Sequence, residues 1–165
     1  MNKTILSKFI KKINVDKISI NLKMFSAELS FTDRDKIAAW QLYVELITRV
    51  VTQYMEPDEG DEKAALESIH IIFDKVREIS SKNGPECYIF TKLSVLMLNS
   101  GLRNFTSKWH RKLKDDISES DKLEFRNELK EIQELMRIFT DLLADICEIK
   151  DITDNRELAL DGIYN

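Results

Sequence analysis

Arg103, Asn104 and His110 are the residues of this 165-residue chain whose types and spacing bring chemistry within reach. Seven positions are nearly two turns of α-helix, so Arg103 and His110 fall on one line about 10 Å apart along the axis, with Ser107 and Lys114 on the same face. A guanidinium that stays charged beside an imidazole that titrates near neutral pH suits acid–base work on a phosphate ester. The imidazole moves the proton and the cation steadies the developing anion. Asn104 projects to a neighbouring face, at about 100° per residue.

Other routes to chemistry are poorly furnished. His70 is the second of only two histidines, and it lies on a different predicted helix. Neither histidine stands in an HExxH or Glu-x-x-His pattern, so no metal is expected. Phosphate-cradling glycine loops and a GxSxG nucleophile elbow are absent, which leaves no cofactor to expect. The acidic stretch Glu56 to Glu62 lacks the ligand order of an EF-hand and reads as a solvated turn.

The element that must hold Arg103 and His110 is strongly patterned. Leu98, Leu102, Phe105, Trp109 and Leu113 recur at helical spacing and predict a buried stripe beside the polar one. The basic patch Lys108, Arg111, Lys112 and Lys114 falls in the last turns, where cations complement the helix dipole. That position explains the charges without any ligand, and Arg103 has a structural use as the partner of Glu45 or another acid between helices.

The rest of the pattern predicts a mainly α fold: a four-helix up-down bundle with a short N-terminal helix and a small β strand or hairpin. The single domain 1–165 divides into an N-terminal helix plus β segment (1–31), the helical bundle (32–149) and a tail (150–165). Thr4 to Lys12 reads as a basic amphipathic helix docked on the bundle. Alternation at Ile18, Ile20, Leu22 and Met24, and again at Ala27, Leu29 and Phe31, predicts the strand or hairpin.

Thr32 with Asp35 forms a capping signal for a helix running to about Met55. Its expected inner stripe is Ile37, Trp40, Val44, Ile47 and Val51, widened by Tyr43, Leu46, Val50 and Tyr54. Trp40 and Tyr43 double as a candidate interface, since aromatics anchor partners, although their register favours the core. A second helix is expected over 61–82. A third spans 85–114, with Gly101 marking a kink or a close approach. A fourth spans 118–149 after the cap at Ser118.

Composition narrows the class. The chain is 43% hydrophobic and 33% charged with four Gly and two Pro, which suits a helical protein, and its net charge of −4 argues against a surface that coats nucleic acid throughout. Cys87 and Cys147 are far apart in sequence and read as core thiols. The first residues lack a secretory layout and no run reaches the ~18 apolar residues of a membrane span, so a cytoplasmic setting is expected.

Arg103-Asn104 followed by five residues and His110 resembles the Arg-polar-x5-His motif of the HEPN superfamily. The resemblance implies an all-helical, metal-independent ribonuclease acting as a dimer. It would make His110 the proton-transfer group, Arg103 the phosphate stabiliser and Asn104 an orienting residue. AAWQLYVELITRV and LNSGLRNFTSKWH are also similar to stretches in uncharacterised bacterial helical proteins. The expected function is nevertheless a non-catalytic helical-bundle module that binds a protein partner or itself, as the small component of a multi-gene bacterial system. HEPN-like RNA cleavage is the alternative.

Overall fold

The computed structural model describes residues 3–13, 30–49, 51–52, 61–114 and 117–149. The expected hairpin over 18–31 falls almost wholly outside the described residues, as does the tail over 150–165. Among the described residues every regular element is a helix. They are α1 (Lys3–Lys12), α2 (Asp33–Ile47), α3 (Glu62–Asn83), α4 (Tyr88–Leu96), α5 (Arg103–Lys112) and α6 (Glu119–Ile146), with a 3₁₀ turn at Gly84–Cys87 and a π turn at Met97–Leu102.

Each long helix starts where a polar side chain answers its first amides. Thr32 caps α2 with a full capping box, its hydroxyl accepting from the Asp35 amide at 3.0 Å while the Asp35 carboxylate accepts from the Thr32 amide at 3.0 Å. Asp61 caps α3 and Ser118 caps α6. The first residue of α4, by contrast, follows Cys87, whose side chain caps nothing. Asp35 reaches across from α2 instead and accepts from the Phe90 amide at 2.9 Å.

Helix ends depart from the expected bounds for local reasons. α2 stops at Ile47, short of Met55, because Thr52 folds back: its hydroxyl donates to the Leu46 carbonyl at 2.6 Å, and Val51 turns into the core. α6 stops at Ile146 in a Schellman arrangement, with the Glu148 amide on Asp145 O at 3.2 Å and the Ile149 amide on Ala144 O at 3.0 Å. Glu148 sits at φ 60°, a position that glycine or asparagine usually fills. The third expected helix is broken into α4 and α5 by the π turn that contains Gly101. A Cβ at Gly101 would stand 2.6 Å from Leu135 Cδ2, so this glycine marks the close approach of α6.

The buried residues form one cluster gathered around α6. α1 docks on it through Leu6, Phe9, Ile10 and Ile13, with the Phe9 and Phe139 rings 5.3 Å apart and Lys12 paired to Glu134 at 2.6 Å. The basic amphipathic helix is thus a docked terminal helix. α2 packs on both α3 and α6: Gln41 meets Asn83 and Glu45 meets Lys75, while Lys36 meets Glu148 and the Thr52 carbonyl meets Arg137. Arg126 of α6 pairs with the nearly buried Glu62 of α3 at 2.9 Å. Cys87 is buried and Cys147 half-buried, both as free thiols; burial pushes the Cys147 thiol up to about 11. No helix among the described residues is long and apolar enough to cross a membrane.

Candidate functional site

Helix α5 carries Arg103 and His110 on an unbroken α-helical segment, and both side chains are exposed. The buried stripe of the same helix explains why they face outward. Leu98, Leu102, Phe105, Trp109 and Leu113 are all in the core, as their spacing predicts, so the opposite residues are left to solvent. Asn104 is exposed as well. Among the described residues Arg103 pairs with no acid. Its Nε and Nη2 donate to Asn99 Oδ1 at 3.0 and 2.6 Å, one turn back, within the π turn. Glu45, the expected partner, is taken by Arg49 at 2.7 Å and Lys75 at 3.3 Å, and those contacts hold its carboxyl below the usual range.

The basic patch is divided rather than continuous. Lys108 turns toward α6 and pairs with Glu124 at 2.7 Å and with Glu128. Lys112 pairs with Asp121 at 2.8 Å and Glu124 at 2.9 Å. These hydrogen bonds raise both lysines above their ordinary value and lower Asp121 and Glu124, so each ion pair is mutually reinforced. Both ammonium groups also lie over the Trp109 ring, at 4.8 and 4.9 Å from its centre. Arg111 and Lys114 remain outside this cluster and exposed. The division follows from helical position: residues 108 and 112 share the side that faces α6, whereas 111 and 114 do not.

His110 gains a neighbour that the spacing of residues does not disclose. His70 of α3 lies edge-on to it, with ring centres 5.6 Å apart. Among the described residues, no group of three or more His, Cys, Asp or Glu gathers as a metal site.

A second surface lies on α2. Its buried face consists of Ala38, Ala39, Leu42, Tyr43 and Leu46; of the stripe expected to point inward, Val51, Tyr43 and Leu46 are buried and Ile47 packs partly on the core, whereas Ile37, Trp40 and Val44 are turned out. Ile37, Trp40 and Val44 are 43%, 49% and 40% exposed. At about 100° per residue the two stripes lie roughly 150° apart, so α2 is apolar on nearly opposite sides and its packing against α3 and α6 decides which is covered. Of the two interface candidates Trp40 is exposed, whereas Tyr43 is a core residue, 1% exposed, on which the Trp40 ring stacks at 5.8 Å.

Trp40 and Val44 border a shallow groove of about 330 Å³ between α2 and α3, lined also by Gln41 and Ile79 and edged by Glu45, Glu78, Lys75 and Lys82. Three apolar side chains thus share its lining with two acids, two lysines and a glutamine. Compared with known proteins, this chain matches no family model, no curated protein and no solved structure.

Proposed function

We propose that this chain is a non-catalytic helical-bundle module that recognises an amphipathic helix of a partner protein, or of a second copy of itself, along the outer face of α2. The observation that carries the reading is the exposed stripe Ile37, Trp40 and Val44 beside the α2–α3 groove. Spacings of three and four residues are those by which one helix seats its anchors on another, and an exposed tryptophan at the centre of such a stripe supplies the largest share of contact energy. A helix that is apolar on both sides is normally covered on both.

The bundle itself is inferred to alternate in direction through α2, α3, α4–α5 and α6. The pairs 41 with 83, 45 with 75, 80 with 91, 70 with 110, 108 with 128 and 112 with 121 all rise on one helix as they fall on the next, which supports that order.

Trp40→Glu tests the reading. The substitution is expected to weaken association at least about tenfold while leaving the unfolding midpoint nearly unchanged, since its site is half exposed. Sedimentation velocity reports self-association, and side-by-side capture with wild-type and variant bait reports a partner. Complexes that persist undiminished in the variant would remove α2 from the interface.

The exposure of both Arg103 and His110 on one uninterrupted helix favours a second reading, metal-independent RNA cleavage of the HEPN type. His110 would transfer the proton and Arg103 would stabilise the phosphate, with Asn104 beside them. RNA incubated with the protein in chelator is then cut by wild type and spared by His110→Ala. Identical traces from the two proteins exclude it.

A further inference from the structure

The chain contains two histidines, forty positions apart, and the fold brings them ring to ring. His70 on α3 and His110 on α5 are both exposed, so burial of an apolar ring face in the core does not account for the meeting. The adjoining core positions are held by Ile69, Ile72 and Trp109. Phe73, one turn along α3, completes one side of the His70 environment at 6.2 Å between ring centres.

We propose that His70 and His110 form a two-imidazole chelate for a divalent transition-metal ion, clipping α3 to α5 at the protein surface. The dimensions fit. An imidazole nitrogen binds zinc at about 2.0–2.1 Å and the ring centre lies about 1.1 Å beyond the nitrogen, so two rings on one ion at 110–120° have centres about 5.2–5.6 Å apart. The observed separation is 5.6 Å. Imidazole donors select copper(II), nickel(II) and zinc, whereas magnesium and calcium require oxygen ligands that this site does not gather.

Because no third protein donor stands with the pair among the described residues, water completes the coordination. Charge around the pair is mixed. Glu67 lies one turn before His70, Asp74 one turn after it is tied to Arg77, and Arg103 and Arg111 flank His110 on α5 with Lys114 just beyond its end. Two surface helices joined by one ion gain stability only in the folded state, since the unfolded chain leaves the two ligands forty residues apart.

The experiment is a titration of the tag-free full chain with copper(II) and with zinc, followed by calorimetry and by tryptophan emission, to which Trp109, the residue next to His110, contributes. The expected result is saturable binding of one ion per chain and a raised melting temperature. His70→Ala and His110→Ala each weaken binding at least about tenfold and abolish the melting shift. Both positions are exposed, so circular dichroism should show folded variants. Absence of saturable binding, or equal affinity in wild type and either variant, overturns the site. This outcome is independent of the α2 interface, and of the RNA test, which is run in chelator.

Discussion

Replacing Trp109 with alanine is expected to lower the unfolding free energy by about 3–5 kcal/mol, the usual loss for a large buried aromatic and a large part of the ~5–15 kcal/mol that holds an ordinary domain folded. Trp109 is fully buried, meets Phe125 edge-on at 5.1 Å between ring centres and Phe105 at 6.4 Å, and its indole nitrogen donates to Glu128 at 2.8 Å. The substitution therefore opens a cavity between α5 and α6 and also removes the ring under Lys108 and Lys112. Trp109→Phe separates the two effects. It keeps most of the apolar contact and loses the indole donor, so a smaller drop of about 1–2 kcal/mol is expected. Urea unfolding followed by far-ultraviolet circular dichroism measures both, and a loss below about 1 kcal/mol for the alanine variant would contradict the packing described.

Asp35→Ala is expected to cost about 2–4 kcal/mol, an unusual penalty for a residue at a helix start. A single cap contributes about 1 kcal/mol, but this carboxylate is 1% exposed and serves two helices. It accepts from the Thr32 amide at the head of α2 and from the Phe90 amide in the first turn of α4. Truncation leaves both amides without their acceptor, and the Phe90 amide loses it in a buried setting. Asp35→Asn retains one carbonyl acceptor while turning an amide donor toward the other N–H, and should fall between wild type and alanine. Thermal and urea unfolding of the three proteins rank them. A ranking in which alanine equals wild type would show that Asp35 does not hold α4 to α2.

Local pattern foretold much of this fold. The capping signals at Thr32 and Ser118 open helices where expected, and the stripe from Leu98 to Leu113 is buried along its length. Such features depend on residues within a turn or two of one another, which a one-dimensional reading can see. The early end of α2 was not legible, because Thr52 takes the Leu46 carbonyl through a hydroxyl six residues on, and threonine carries no special stop signal. The end of α6 was equally hidden, since Glu148 occupies a left-handed position without the glycine that marks it.

The sites divide in the same way. Exposure of Arg103 and His110 followed from the buried stripe beside them. Separation of Lys108 and Lys112 from Arg111 and Lys114 required the acids of α6, which lie up to 20 positions away and whose register no local signal records. His70 carried no mark of interest until α3 and α5 were brought together.

By itself the sequence determined which segments coil, where two of them are capped and which face of α5 is apolar, because these follow from the helical period and from hydrogen bonds between near neighbours. Tertiary structure alone decided which apolar side of α2 meets the core, that Asp35 caps a second helix and that the two histidines touch. Each of those depends on what a distant helix presents, and α2 in particular offers two apolar sides of similar character, so only its packing against α3 and α6 selects the one that Trp40 is left to display.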